Sequence, residues 1–362
     1  MLEIVHLGAA SARDDRRIVD KQCRALAARG HRVTLVVADG RGDAWRGGVR
    51  IVDAGPGALP AAMRRLYRRA LALRPDIVQL HHPALLPAGL RLRRHGCKVL
   101  YDAGAEPPHD GDAGPGAGDG AARRALAALW RRLERQACRH LDGVIAASPC
   151  ARDAFLPLNR ATVCVNDFPL ADECEAGLAW AERPVRVCHE GALSAMRGVV
   201  ELVRACELLQ SQVRLSLAGD FTEAALAARM LARPGWRRID ALGRLGRAGI
   251  GALRASSRAA LITPHATPAA LGAPPAILFE TMAAGIPVIA SDFPLWRNVV
   301  DAHACGLCVD PRDPPAIAAA IDYLACHADI ARHMGENGRR AVRARYNWQH
   351  EAAKLVDYYE HL

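Results

Sequence analysis

The chain has 362 residues, 51% of them hydrophobic and 5% aromatic. That is enough for two ordinary domains and excludes a disordered chain. Lys and Arg number 48 against 38 Asp and Glu, a formal charge of +10, which suits an anionic partner: a phosphorylated small molecule, acidic lipid headgroups or nucleic acid.

Met1-Leu-Glu-Ile-Val-His-Leu7 reads as a first strand. Glu3 and His6 interrupt any secretory apolar core, and no later run of about 18 apolar residues predicts a membrane span. Short apolar runs at 32–38, 77–80, 98–101 and 143–147 alternate with amphipathic helical patterns at 17–29 and 60–74. Gly30 stands where the first helix needs a left-handed stop. Residues 107–120 are rich in Gly, Pro and Asp and read as a loop. The Asp110-Gly-Asp112 in it lacks the strand end that a metal-binding acid pair needs, and Gly114–Gly118 lacks the strand of a phosphate loop.

The alternation restarts at 186–189, with a helix at 198–209 and strands at 214–218, 239–242, 259–263 and 287–290. Strand–helix alternation predicts parallel sheets. The expected architecture is α/β, with two Rossmann-like doubly wound domains facing across a cleft. Boundaries fall at 1–168 and 185–345, with a linker at 169–184 and a C-terminal helix at 346–362 packing back on the first domain. Ligands of such sheets sit at the carboxyl ends of strands. The 11 cysteines are odd in number and scattered, which argues against a disulfide framework and for a reducing cytoplasm. Cys305-Gly-Leu-Cys308 has no second pair nearby to complete a zinc site, so buried thiols are its ordinary reading.

Two segments carry chemistry. Arg197 follows a strand–glycine turn and precedes a helix, where a guanidinium forks onto a diphosphate and the helix N-terminus adds positive potential. Glu280 lies on a helix before a Gly285-Ile-Pro287 turn and a buried strand. Its carboxylate can accept hydrogen bonds from a ribose diol. Taken singly, a surface Glu and a solvated helix-start Arg are the plain alternatives.

Leu278-Phe-Glu280, Met282-Ala-Ala-Gly285 and Pro287-Val-Ile-Ala-Ser-Asp-Phe-Pro-Leu-Trp-Arg297 resemble the carboxyl-terminal signature of retaining GT-B glycosyltransferases, the family 4-like (group 1) enzymes of surface-polysaccharide and lipopolysaccharide biosynthesis. The likeness extends to Arg13-Asp14-Asp15-Arg-Arg17-Ile18, His81-His-Pro83-Ala-Leu-Leu-Pro87, Tyr101-Asp102, Gly191–Gly198, Leu217-Ala-Gly219, Gly335–Arg339 and Tyr346-Asn-Trp348. It covers nearly the whole chain. It implies a GT-B fold and metal-independent, retaining transfer from a nucleotide sugar, UDP-linked, to a lipid-linked or lipopolysaccharide-type glycan. Arg197 and Glu280 would be catalytic. Gly191, Gly219 and Gly285 would join them around the donor, and Asp14, Asp15, Arg17 and His81 would face the acceptor cleft.

The chain departs from the family pattern at several positions. Gly104 and Ala105 stand for a His and a Glu, His82 and Ala84 for an Asp and a Glu, Gly272 for the first of two spaced Glu, and Ile277 for a Lys. These changes keep a catalytically silent partner subunit as the alternative. A UDP-sugar epimerase is disfavoured by the depleted carboxylates. Arg64, Arg65, Arg68 and Arg69, then Arg91, Arg93 and Arg94, then Arg123, Arg124, Arg131, Arg132, Arg135 and Arg139 lie on predicted helices of the first half. They suit peripheral contact with anionic lipid at the inner face of the cytoplasmic membrane. Aromatic residues do not interleave with them, which disfavours nucleic acid.

Overall fold

The computed structural model describes residues 1–8, 10–103, 120–170 and 178–362, without the side chains of 10, 11, 59 and 120–127. Gly104, Ala105, Asp110, Asp112 and the Gly114–Gly118 run therefore lie outside the described residues, as do the side chains of Arg123 and Arg124. Contacts divide the chain into two units, Met1–Asp167 with Trp348–Leu362, and Phe168–Asn347.

The first unit is built on strands β1 (Glu3–Leu7), β2 (Arg32–Val37), β3 (Ala44–Arg46), β4 (Val49–Asp53), β5 (Ile77–Leu80), β6 (Lys98–Ala103), β7 (Gly143–Ala146) and β8 (Thr162–Cys164). Their order is β3-β4-β2-β1-β5-β6-β7-β8. All neighbours are parallel except β3, which runs antiparallel to β4. Every residue of β5 and β7 is buried. Continuous apolar runs, rather than alternating ones, mark strands covered on both faces. The hairpin β3–β4 is not among the strands expected from sequence. Its signal is the pair Gly47-Gly48, both at positive φ (56° and 82°), which fits the two-residue turn that joins twisted antiparallel strands.

The helix expected at 17–29 is wider at its start. Arg17–Cys23 winds with π-type spacing before Arg24–Ala28 continues as α-helix, and Gly30 (φ 95°) terminates it. Asp20, Lys21 and Gln22 are buried in this stretch. The wide turns accompany polar side chains turned into the unit, and such insertions recur at functional sites. Helix Trp348–Glu360 packs on the same unit. Tyr359, fully buried, donates its hydroxyl to Gln79, and Glu351 accepts the amide of Asn166 at 2.9 Å.

The second unit holds strands β9 (Arg186–Glu190), β10 (Arg214–Ala218), β11 (Ile239–Gly243), β12 (Ala259–Ile262), β13 (Val288–Ser291) and β14 (Gly306–Val309), ordered β11-β10-β9-β12-β13-β14 and parallel throughout. Counted from β9 this is the 3-2-1-4-5-6 order of a dinucleotide-binding sheet, and the chain reverses direction across it between β9 and β12. Leu202, Val203, Leu215, Leu217, Ile317 and Ile321 fill one face of the core. Each such side chain contributes about 1.5–3 kcal/mol on burial. Residues 178–184, part of the expected linker, are held on this unit. Arg183 stacks 4.5 Å over Trp180 and donates to the Ser257 carbonyl at 3.0 Å. Phe168 packs against Phe279 and Tyr346. Cys305 is buried and Cys308 half-buried, both as free thiols.

Candidate functional site

In the second unit the polar residues gather at the carboxyl ends of β9, β10 and β12. β9 ends at Glu190, and Gly191 turns the chain at φ 114°. The Gly191 amide donates to the Ala218 carbonyl at 2.9 Å, drawing the two strand ends together. Gly219 (φ 155°) lies so close to Gly191 that a Cβ would strike the Gly191 carbonyl. The Gly191 and Gly219 positions thus bring two loops into contact, and backbone rather than side chain lines this part of the edge.

The loop after Gly191 leads to Ala195–Arg197, a single 3-10 turn capped by Ser194, whose Oγ accepts the Arg197 amide at 3.2 Å. Gly198 (φ 79°) then starts helix Val199–Leu208. A Cβ on Gly198 would strike the Thr263 carbonyl at the end of β12, so only glycine lets the helix start approach that strand. Arg197 is left exposed, beside first-turn N–H groups that lack intrahelical acceptors. Its charge reaches His189 on β9. Burial first, and then Arg197, push that imidazole down to about 4. The His265 amide donates to the Met196 carbonyl at 2.9 Å, and its Nε2 stands 3.2 Å from Glu201. Neither residue is singled out by the sequence patterns.

Glu280 sits on helix Ala276–Ala283, with Leu278, Phe279, Thr281 and Met282 buried around it. It is not the lone carboxylate that the sequence suggests. Arg254, at the end of helix Arg247–Ala255, donates to its Oε2 at 2.6 Å and grips Glu190 with two further bonds. Burial opposes the charge on Arg254, but the two carboxylates outweigh it and raise the guanidinium's pKa. Sequence reading missed Arg254. Its partners lie 64 and 26 residues away, beyond any local pattern.

Gly285 belongs elsewhere. It turns at φ 69° after the helix of Glu280 and leads into the amino end of β13, the edge opposite the one just described. Its neighbours are Gly335 and the guanidinium of Arg339. Gly285, expected beside the donor, is placed as a left-handed helix stop in close contact with helix Ala328–Ala344. Trp296, also in the family-like segment, is structural as well. Fully buried, it donates Nε1–H to the carbonyls of Ala270 and Ala273 at 2.8 and 3.1 Å, anchoring the short helix Pro268–Gly272.

In the first unit the carboxyl ends of β5 and β6 meet a buried polar chain. Asp102 receives Arg17 Nη2 at 3.0 Å, Gln22 Nε2 at 2.8 Å and His81 Nδ1 at 3.2 Å. His81 Nε2 stands 2.8 Å from His6 Nδ1, the two rings stacked at 5.1 Å. Burial alone would raise the Asp102 carboxyl, but the charge on Arg17 and the hydrogen bonds from His81 and Arg17 hold it well below the usual carboxylate range. Burial, then His81, keeps His6 far below its ordinary value and therefore neutral.

Two of the expected cleft residues, Arg17 and His81, belong to this polar chain. The side chains of Arg17 and His81 are 10% and 2% exposed, and each is spent on Asp102. Arg17 also ties down the Val165 carbonyl at 3.0 Å. Both are interior connectors of the first unit in this arrangement. Asp14 and Asp15 are exposed. Asp14 pairs with Arg41, and Asp15 accepts the Ile18 amide at 3.2 Å at the start of the wide helix. Among the described residues no three His, Cys, Asp or Glu side chains converge as metal ligands would.

Residues 16–166 match the family model described as a glycosyl transferase 4-like domain, and residues 172–341 match glycosyl transferases group 1. Over 82 residues the chain is 38% identical to a GDP-mannose-dependent alpha-(1-6)-phosphatidylinositol monomannoside mannosyltransferase of Mycobacterium tuberculosis, covering 23% of this chain and 21% of that one. Over 84 residues it is 36% identical to a phosphatidyl-myo-inositol mannosyltransferase of Mycobacterium leprae, covering 23% and 22%. The matched stretch thus spans about a fifth of these curated relatives. Among solved structures, sucrose-phosphate synthase from Thermosynechococcus elongatus superposes with a TM-score of 0.75 at 19% identity, covering 99% of this chain and 98% of that one. Anabaena HepE in complex with UDP-glucose gives 0.73 at 15% identity, with complete coverage of both. These likenesses are of fold, and the fold is GT-B.

Proposed function

The chain belongs to the glycosyltransferases that join a family 4-like domain to a group 1 domain, and on that premise we propose that it moves a sugar from a UDP-linked donor to a lipid-linked or lipopolysaccharide-type glycan. The observation that carries this reading is the exposed Arg197 at a helix start on the carboxyl edge of the second sheet, with the Glu280 carboxylate held on a rigid helix in the same unit. Arg197 and the helix N-terminus hold the diphosphate and stabilise its charge as the glycosidic bond breaks, without a metal. Glu280 holds the donor's ribose or sugar hydroxyls. Transfer is retaining, and the leaving phosphate takes the acceptor proton. UDP is favoured because HepE is described with UDP-glucose. The mannosyltransferase relative is named for GDP-mannose, so both nucleotides belong in the assay.

The test is calorimetric binding of UDP and GDP, followed by donor hydrolysis and transfer assays with UDP- and GDP-sugars. Micromolar binding with turnover of one donor is the expected result. No binding of either nucleotide sinks the reading. Binding without turnover against every donor and acceptor supports the second reading, a catalytically silent subunit. One specific observation favours that alternative: Arg17 and His81 are withdrawn into the network of Asp102.

The acceptor's lipid brings the protein to an anionic membrane surface. Helices Leu59–Ala72, Leu86–Arg93 and Gly120–Cys138 pack side by side. Arg64, Arg68, Arg69, Arg91, Arg131, Arg132 and Arg135 on them, and Arg139 just after the last, are exposed, as are Leu129, Trp130 and Leu133. Arg65 and Arg93 do not contribute. Arg65 holds the carbonyls of Ala54, Gly55 and Pro56, and Arg93 pairs with Asp142. No helix among the described residues is long and apolar enough to cross a membrane. Flotation with phosphatidylglycerol-containing vesicles is expected to carry the wild-type protein. Replacing Arg131, Arg132 and Arg135 with Gln is expected to lower the bound fraction about tenfold or more, at roughly 1 kcal/mol per cation. Equal flotation of both proteins sinks the lipid contact.

A further inference from the structure

Arg254 is held by two carboxylates of the second unit, Glu190 and Glu280. Its helix turn is fixed by Leu253, which packs with Cys188, Ala218, Ala260 and Ile286. Its side chain is 12% exposed. Nε donates to Glu190 Oε2 at 3.1 Å, Nη2 bonds to Glu190 Oε1, and the same Nη2 donates to Glu280 Oε2 at 2.6 Å. The forked grip on Glu190 fixes the plane of the guanidinium. Glu190 is itself fixed, because it ends β9, where the strand pairs with β10 at Ala218. A rigid strand end thus holds Arg254, and Arg254 holds one oxygen of Glu280.

The consequence lies on the other oxygen. The Glu280 side chain is 25% exposed, and its Oε1 takes no part in the Arg254 bond. A glutamate side chain has three rotatable bonds, and ordering it counts against binding unless it is ordered beforehand. Pinning Oε2 orders it and leaves Oε1 with acceptor capacity toward hydroxyl donors.

We propose that Arg254, braced by Glu190, is a positioning residue for the donor nucleotide, holding Glu280 so that Oε1 is presented to the vicinal hydroxyls of the ribose. This rests on the reading of Glu280 as a contact of the donor. A structural ion pair predicts a loss of stability when Arg254 is changed. A positioning role predicts, in addition, a loss of discrimination at the ribose. Glu190 is then a functional residue as well, although it need not touch the ligand.

The experiment is a cycle between protein variants and ribose hydroxyls. UDP and 2′,3′-dideoxy-UDP are titrated by calorimetry into the wild type, Glu280→Gln, Arg254→Gln, Arg254→Lys and Glu190→Gln, with the GDP pair in parallel. The wild type is expected to prefer the ribonucleotide by about 10–100-fold, the range of a charged hydrogen bond. Glu280→Gln and Arg254→Gln are each expected to bring that preference close to unity, and Arg254→Lys to restore part of it. If Arg254→Gln does not fold, Glu190→Gln carries the test, because it loosens the brace and leaves Arg254 and Glu280 in place. Its preference is expected to fall severalfold. Full preference in Arg254→Gln, or in Glu190→Gln where that variant carries the test, overturns the proposal. So does an equal loss of affinity for both ligands. Full preference in Glu280→Gln removes Glu280 from the ribose, which is a failure of the underlying reading and is told apart by that arm alone.

Discussion

Arg197→Ala is expected to lower sugar transfer by about 10²–10³-fold, the effect of removing one preorganised donor from a developing negative charge, while stability stays within about 0.5 kcal/mol. The second half follows from geometry. Arg197 is exposed, and its bond to Ser194 Oγ is made by the backbone amide, which alanine keeps. Among the described residues its guanidinium has no carboxylate partner to be left unpaired. The first half follows from its place at a helix start on the carboxyl edge, where its charge adds to the helix field. Donor affinity and turnover separate the two ways it can act. A rise in the donor KM alone marks ground-state binding, whereas an equal fall in kcat and kcat/KM marks stabilisation confined to the transition state. Steady-state kinetics beside a thermal melt supplies both numbers. Unchanged kinetics removes Arg197 from the mechanism.

Asp102→Ala is expected to destabilise the protein by about 3–5 kcal/mol, the range for breaking a buried ion pair on one side. The loss is large because Asp102 is the acceptor shared by Arg17, Gln22 and His81, and alanine leaves all three buried donors without it. The pH dependence has a definite sign. The folded protein holds this carboxyl below its unfolded value of about 3.9, so the unfolded chain binds more protons in acid. The stability from Asp102 is complete above pH ~4 and is lost as the pH falls through the depressed folded value. Urea midpoints for wild type and variant are expected to differ most at pH 5–7 and to begin closing below pH ~4. A gap that stays constant down to pH 3 rejects this account of the network.

Much of the two units is legible in the sequence because its signals are local. Gly198 announces a helix start and Gly30 a helix end through the one conformation other residues avoid; Gly47-Gly48 carries a like signal for a hairpin that the strand pattern alone did not reveal. Arg197 and Glu280 stand out because each lies within a few residues of a strand–turn–helix junction. His81 and Arg17 were equally visible as polar residues near strand ends, yet the structure turns them inward. Nothing local distinguishes a polar side chain facing a ligand from one facing an aspartate 21 or 85 residues away. Gly285 shows the same limit. A glycine turn reads alike at either edge of a sheet, and only the direction of β13 places it at the amino edge, opposite Arg197.

The sequence by itself determined the alternation of buried strands and amphipathic helices, and with it two parallel α/β units, because those patterns repeat over two to four residues. It also determined that one basic residue and one acidic residue stand at helix positions suited to a nucleotide sugar. Only the tertiary structure decided the strand order that sets the switch point between β9 and β12, and the burial that ties His81 and Arg17 to Asp102. It alone placed Arg254 between Glu190 and Glu280. The physical reason is range: helix and strand periodicity arises among near neighbours, whereas a shared proton or ion pair depends on which distant strand ends the folded sheet sets side by side.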